Sequence, residues 1–474
     1  PALIYSGLSG FTGADLFKVT ENEDGSFTAF AERGDGLQLH RHIEISDDYR
    51  LKIKDTFVNS GDTVIGLPKH KLWLGSMHMS QAESKIRGME YLGIDAHPAI
   101  GGESVLHLSK HAHRLFKSKK SETKTPSLPV TVSDMDARLV KALSKPLPVI
   151  KPVDWVAVKN KFFVQIAEPI TMGDGYSFVI ERVKEPGEGF DPKVTVKSAT
   201  IASVSGALVF DGTELLPEQE FTREVNYYVG PKKYSILKTL PKSQDAVMEF
   251  GFWTWLSKFL LIVLNGIYKF IPNYGLAIIL LTLGLRGAFW PITRKSTESM
   301  KKMQTLSPLI TEIKEKYKND PKRVNEETMR LYKEHKINPM GGCLPMLIQI
   351  PVFIAFFIVL RSAIELRFAG FLWIKDLSEP ERLFSDVLPF ALNLLPIIMA
   401  VTMVIHQKMT PTSAEPSQQK MMLIFMPAMM LFICYNFPAA LTLYWTANQL
   451  VAIVAQLLTK DKNKGNIVPK LKKA

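Results

Sequence analysis

Two spacings of apolar residues divide this chain. Up to about residue 240 the apolar positions come in short runs that alternate with polar ones. In Lys193-Val194-Thr195-Val196-Lys197 the valines share one side of an extended chain. Trp155-Val156-Ala157-Val158-Lys159 is denser, as in a more buried strand. Turn pairs punctuate these runs: Asp24-Gly25, Asp35-Gly36, Asp174-Gly175 and Asp211-Gly212. Asp-Gly suits tight turns because glycine reaches positive φ without strain. The pattern predicts an all-β sandwich over residues 1–245.

Beyond residue 250 the spacing changes to long, nearly unbroken apolar runs. Five are long enough to cross a bilayer core as helices: about 274–292, 342–362, 387–407, 421–437 and 439–459. Pro438 separates the last two by a tight turn. The segment 293–341 carries 12 basic and 7 acidic residues, with paired charges at helix spacing (Glu312 with Lys316) and a break at Asn319-Asp320-Pro321. It reads as a helical hairpin outside the membrane. The expected class is therefore multi-domain: an all-β sandwich, then an α-helical five-span bundle with a cytoplasmic helical hairpin.

Residues 250–272 are ambiguous. Trp255–Ile271 is apolar, but Lys258, Asn265 and Lys269 fall on one helical face, behind Trp253 and Trp255. The favoured reading is an amphipathic helix on the outer membrane surface; the other is a sixth span.

Charge fixes the orientation. The net charge is +12, although hydrophobic residues make up 46% and charged ones 22% of the whole. The basic excess lies in 293–341 and in the tail 461–474, and the positive-inside rule places both in the cytoplasm. Residues 1–245 then face the periplasm of a Gram-negative cell, with the chain anchored in its inner membrane. An outward first domain in a chain that opens on Pro1 leads us to expect a preceding signal or membrane helix. The basic patches suit anionic lipid or ribosomal RNA, and no motif for sequence-specific nucleic-acid binding accompanies them.

Candidate chemistry is sparse. Cys343 and Cys434, the two cysteines, lie in or beside apolar runs and make no disulfide framework. His107, His111 and His113 lie in a Lys- and Ser-rich stretch with no zinc spacing, so a solvated loop is expected there rather than a metal site. The stretch 117–129 reads as a linker. There is no Gly-rich phosphate loop and no nucleophile elbow, so no enzyme activity, cofactor or metal is expected.

One residue stands out. Arg286 lies inside the first span, where a charge costs about 2.5–3.5 kcal/mol on insertion scales, so it should face protein or water. Thr282 precedes it by one helical turn. Gln349 in the second span, Asn393, Thr402 and His406 in the third, and Tyr444, Asn448 and Gln449 in the last complete a set able to line a wet cavity. The alternative is that Arg286 snorkels to the interface near Arg294 and Lys295.

These residues carry a resemblance. The run Asn273–Lys295 around Arg286, the segment Asn338-Pro339-Met340-Gly341-Gly342-Cys343-Leu344-Pro345 through Phe353, and Leu443-Tyr444-Trp445-Thr446-Ala447-Asn448 resemble, in order, three core helices of the YidC/Oxa/Alb family of membrane protein insertases. Trp155–Val164 and Tyr227–Pro231 resemble its large periplasmic domain more loosely. The resemblance implies a groove open to cytoplasm and lipid, lined by Arg286, Thr282, Gln349, Tyr444, Trp445 and Asn448. Trp445 stands where some relatives have Tyr, and Gln449 where many have Asn. Met421, Met422, Met426, Met429 and Met430 would form an adaptable slide for an emerging apolar segment, and Met300 and Met303 would present apolar side chains on the hairpin. Implied partners are nascent membrane proteins, the Sec translocon, the ribosome through the hairpin and basic tail, and anionic lipids. Two rival functions remain: a polytopic small-solute transporter, and a membrane-anchored carbohydrate-binding β-domain.

Overall fold

A computed structural model describes residues 2–11, 17–78, 92–99, 105–107, 152–170, 175–183, 200–335, 337, 344–384, 392–410 and 416–460. They fall into two units, Pro1–Met248 and Glu249–Ala474. The expected strand at 193–197, the linker at 117–129, His111, His113 and the tail 461–474 lie outside the described residues.

The first unit is a sandwich of two antiparallel sheets. The smaller runs β1 (Ile4–Ser6), β7 (His70–His78), β13 (Thr200–Phe210), β12 (Gly175–Val183). The larger runs β2 (Lys18–Glu21), β3 (Phe27–Glu32), β4 (Leu37–Ser46), β5 (Arg50–Asn59), β15 (Glu220–Pro231), β11 (Phe163–Pro169), β10 (Val153–Lys159), β8 (Gly93–Pro98), β9 (Leu106–His107). A short pair, β6 (Ile65–Leu67) with β14 (Thr213–Leu215), completes it. Asp24-Gly25 and Asp35-Gly36 turn β2 into β3 and β3 into β4, with Gly25 at φ 78° and Gly36 at φ 85°. Asp211-Gly212 instead carries the chain between sheets, because β13 pairs with β7 and β14 with β6.

The core lies between the sheets and includes Leu39, Phe57, Leu72, Leu74, Val156, Val158, Val204 and Leu208. At Gly206 the sheets approach so closely that a Cβ would stand 2.7 Å from Val158 Cγ2. The dense pattern of β10 has a specific cause. Val156 and Val158 enter the core, while Trp155 and Lys159 on the other face are covered by residues 242–247. Trp155 donates its indole N–H to Lys242 O at 2.9 Å, and Lys159 donates to Val247 O at 3.0 Å and to the buried Asp95.

The buried carboxylate Asp55 of this unit is paired. Asp55, 2% exposed, accepts from Arg41 Nε and Nη2 at 2.7 and 2.8 Å and from the Tyr5 hydroxyl at 2.6 Å. Burial, reinforced by Asp55, holds the Tyr5 hydroxyl well above its ordinary pKa. Burial opposes the charge on Arg41, but Asp55 outweighs it and raises the guanidinium above its usual value. His107, a residue of the weak metal candidate, has Nδ1 2.8 Å from Asp95 Oδ1.

The second unit is helical: α1 (Thr254–Phe270), α2 (Tyr274–Thr305), α3 (Ser307–Lys316), α4 (Pro321–Glu334), α5 (Leu344–Ser362), α6 (Leu394–Met409), α7 (Pro416–Cys434) and α8 (Ala439–Lys460). Among the described residues α2 and α8 are long and apolar enough to cross a membrane alone; 347–360, 394–409 and 421–434 are shorter apolar stretches. The run expected to end at 292 continues through Pro291 to Thr305, so the first span and the first hairpin arm form one helix. Proline removes one backbone donor and bends a helix without having to end it. The third run was expected from 387; its helix begins at Leu394, where the Glu381 carboxylate accepts from Leu394 N and Leu395 N at 2.6–3.1 Å. The fourth ends at Cys434 rather than 437.

On helix α1, Lys269 of the expected polar face is exposed, and Lys258 and Asn265 are half-buried. Ser257, Leu260, Leu261 and Leu264 are buried, and Ser257 donates to Ala355 O on α5 at 3.3 Å. Asn265 accepts from the Tyr274 hydroxyl at 3.2 Å instead of facing water. The exposed face is Trp255, Phe259 and Ile262. Two of its polar side chains, Ser257 and Asn265, are thus used in contacts with α5 and α2, while large apolar side chains and Lys269 are exposed.

Between α3 and α4 the chain turns at 317–320; Asp320 caps α4 by accepting from Arg323 N at 3.0 Å, and Pro321 occupies its first position. Leu306, Leu331, Tyr332 and Ile337 form a small core, with Met303, Leu309, Ile310 and Ile313 against it. Met303 is partly buried against this core, and Met300 is half-buried.

Candidate functional site

Helix α8 organises the helical unit, packing on α2, α5 and α6, whereas α7 packs chiefly on α6. Polar side chains recur along α8 at Tyr444, Asn448 and Gln456; Tyr444 and Asn448, one turn apart, share a face, and Gln456 lies about two turns further on, rotated from it. At about 1.5 Å per residue they lie about 8, 14 and 26 Å from the start of the helix.

Each meets a polar group from another helix. Gln349 on α5 donates Nε2 to the Tyr444 hydroxyl at 2.5 Å. Arg286 on α2 donates Nε to Asn448 Oδ1 at 2.6 Å and Nη2 to Asn448 O at 3.2 Å. Gln456 Nε2 lies 3.3 Å from His406 Nε2 on α6 and donates to Thr410 Oγ1 at 3.2 Å. Aromatic rings flank the outer pair: Phe356 lies 4.6 Å from Tyr444, and Phe353 meets Trp445 edge-on at 4.8 Å.

The structure thus brings Arg286, Asn448, Gln349, Tyr444 and Trp445 onto three adjoining helices. Thr282 is placed otherwise. It is 1% exposed, and its hydroxyl donates to Ile278 O of its own helix at 2.7 Å. Buried in the helical unit, it spends its donor on its own helix. Thr402 likewise bonds Met399 O at 2.8 Å. Asn393 is a latch rather than a lining group: its Oδ1 accepts from Arg382 N at 2.8 Å and its Nδ2 donates to Tyr435 O at 2.7 Å.

Arg286 is half-buried and makes no ion pair among the described residues. The sequence explains why: residues 274–292, 344–362, 394–409, 416–434 and 439–458 contain no Asp or Glu. Its partners are neutral amides, so its charge is held but not cancelled.

On α7, Met421, Met422 and Met429 are exposed and Met426 and Met430 half-buried. The most exposed side chains of this helix are Phe432, Ile424 and Phe425, which the methionine pattern passes over. Spacing by three and four residues from Met421 through Phe425 to Phe432 marks that face. Gln456, also missed, was legible as a polar residue eight positions after Asn448 on an otherwise apolar helix.

A polar cluster around an arginine, set among apolar helices in a chain that also carries a β-sandwich, points to a membrane protein. Residues 266–466 match the family described as 60Kd inner membrane protein, and residues 115–263 the YidC periplasmic domain. The membrane protein insertase YidC of Citrifermentans bemidjiense is 32% identical over 462 residues, covering 96% of this chain and 73% of that one. The chain belongs to the YidC family of membrane protein insertases. The YidC of Syntrophobacter fumaroxidans is 40% identical over 321 residues, 67% of this chain, and the match spans about half (55%) of that relative's length. A solved structure titled as an active YidC insertase with its first transmembrane domain resolved is 18% identical, with a TM-score of 0.40, over 95% of this chain and 85% of that one.

Proposed function

We propose that this chain guides apolar segments of nascent proteins from the cytoplasm into the inner membrane, without catalysis or cofactor. The observation that carries the reading is Arg286, a charge bound by neutral partners inside an apolar helical unit. A passenger's apolar segment gains free energy in lipid, but its polar flank must cross a dry layer. Polar groups along α8 shorten that layer, and Arg286 attracts acidic groups on the flank. The exposed apolar face of α7 offers a surface along which the segment leaves.

In this reading five helices (α2, α5, α6, α7 and α8) span the membrane, α1 lies at the outer interface, and residues 1–245 face the periplasm. The α3–α4 hairpin and the basic tail face the cytoplasm and are candidate contacts for ribosomes and anionic lipid, with the Sec translocon as a working partner.

The test is reconstitution. The full-length protein is placed alone in vesicles and offered a single-span passenger, with protease protection as readout. Insertion above empty vesicles without nucleotide supports the reading; none, with correctly folded protein, refutes it.

A further inference from the structure

We propose that the loop 364–384, between α5 and α6, is a lipid anchor: it sets Phe368, Leu372 and Trp373 into the interface of the outer leaflet and holds the starts of α2 and α8 there. The inference goes beyond the handling of passengers and rests on the five-span arrangement given above.

The loop is built firmly into the helical unit. Phe371 and Ile374 exchange backbone hydrogen bonds, each 2.9 Å, and close a tight turn with Leu372 and Trp373 at its tip. Leu377 N donates to Ala369 O at 3.0 Å. Leu377 O and Glu379 O accept from Ala440 N and Ala439 N, in the first turn of α8, both at 2.9 Å. The Phe371 ring covers Gly275, in the first turn of α2. The loop thus grips the starts of two helices.

What it presents outward is apolar, at a cost to the backbone. Leu372 and Phe368 take φ 53° and 58°, the left-handed region that bulky residues avoid and glycine enters freely. Both side chains are nevertheless turned out, 75% and 77% exposed, with Trp373 exposed beside Leu372. A turn that served only to reverse the chain would take glycine at such a position. Contact with an apolar phase outside the protein gives the leucine and phenylalanine their use.

Position and composition select lipid as that phase. The loop joins the end of α5 to the start of α6, at the level where α2 and α8 begin. In the five-span arrangement this level is the headgroup layer of the outer leaflet, where aromatic side chains gather. Basic side chains stand among the apolar ones: the Arg367 guanidinium lies over the Phe368 ring, 4.9 Å from its centre, and Lys375 is exposed. Long cationic side chains beside apolar ones suit the boundary between acyl chains and anionic phosphates. The centre of a protein–protein interface would be depleted of such charge.

The test uses full-length protein in phosphatidylcholine–phosphatidylglycerol vesicles in which one orientation predominates. Leu372→Cys, in a background of Cys343→Ser and Cys434→Ser, carries an environment-sensitive nitrobenzoxadiazole label. Phe368→Cys gives a second, independent reading; Val19→Cys on β2 and Met329→Cys on α4, both at exposed positions, serve as references. A melting temperature equal to that of the unlabelled background certifies each protein. Labels at 372 and 368 should lose most of their emission to lipids carrying a nitroxide near the headgroup and little to aqueous iodide, and the label at 19 should do the reverse. Quenching at 372 and 368 by iodide and not by lipid overturns the proposal. So does shielding that disappears as the protein is diluted in lipid, the mark of a second copy. The arrangement beneath the proposal is checked separately: dithionite added outside should bleach complementary fractions of the labels at 372 and 329. Equal fractions place both on one face and overturn the five-span arrangement, an outcome distinct from a water-exposed label at 372 on the expected face.

Discussion

In the β-sandwich, Asp55 is wrapped by Arg41 and Tyr5; in the helical unit, Arg286 has, among the described residues, the hydrogen bonds to Asn448. Asp55 is buried and Arg286 half-buried, and the cost of desolvation is met differently at the two. At Asp55 three hydrogen bonds and an opposite charge compensate the carboxylate. At Arg286 two neutral contacts orient the cation, and no carboxylate among the described residues pairs with it. A compensated charge belongs to the structure, since every interaction it makes is already made. An uncompensated one keeps its strongest interaction in reserve, and a binding site requires that.

The contrast is broken most directly at Asp55. Asp55→Asn leaves Arg41 buried without a counter-ion and should destabilise the first unit by about 3–5 kcal/mol, the usual cost of halving a buried pair. Urea unfolding of the full-length protein measures it. A loss below about 1 kcal/mol would mean that the pair is no stronger than a surface one.

Next in size is a steric test in the helical unit. Gly275, in the first turn of α2, lies so close to Phe371 that a Cβ would stand 2.1 Å from its ring. Gly275→Ala should cost about 1–3 kcal/mol by overpacking, read as a lower melting temperature. An unchanged melting temperature would show that the Phe371 loop yields freely.

The comparison is sharpened by removing the uncompensated charge. Arg286→Met should leave stability within about 1 kcal/mol of wild type, or raise it, because the lost contacts are neutral and a buried charge disappears. Insertion of an acidic-flanked passenger should fall about tenfold. Stability loss comparable to that at Asp55 would make Arg286 a structural residue and erase the distinction between the units.

The two units were also legible to different degrees. Alternation and Asp-Gly turns are local signals and marked the sandwich, but not its strand order, which depends on pairings such as β15 with β5 more than a hundred residues away. The apolar runs marked the helices of the second unit. The continuation of α2 through Pro291 and the start of α6 at Leu394 depended on helix bending and on a cap from Glu381, which no apolar pattern encodes. Arg286 was conspicuous because a charge in an apolar run is rare. That Asn448 clamps it while Thr282 turns its hydroxyl inward is decided by side-chain rotamers across helices, which spacing alone leaves open.

The smallest effect expected lies at the surface of the sandwich. Arg33 donates Nε and Nη2 to the two Asp35 oxygens at 2.7 and 2.5 Å, and this contact holds the Asp35 carboxyl below its usual pKa. A depressed folded-state pKa favours folding above the unfolded value, near 3.9, and that contribution disappears as the pH falls through the lower folded value. Asp35 is 45% exposed, so solvent screening limits the pair to about 0.2–1 kcal/mol. Arg33→Gln should therefore be slightly less stable than wild type at pH 7, with the gap closing as the solution is acidified below pH 4. Raising the salt concentration at pH 7 should narrow the same gap, because an exposed pair is screened where a buried one such as Arg41–Asp55 is not. A gap that persists at low pH would trace the stabilisation to the Arg33 contacts with backbone and neighbouring side chains, including the bond from Nη1 to Ser9 O, rather than to the charge on Asp35.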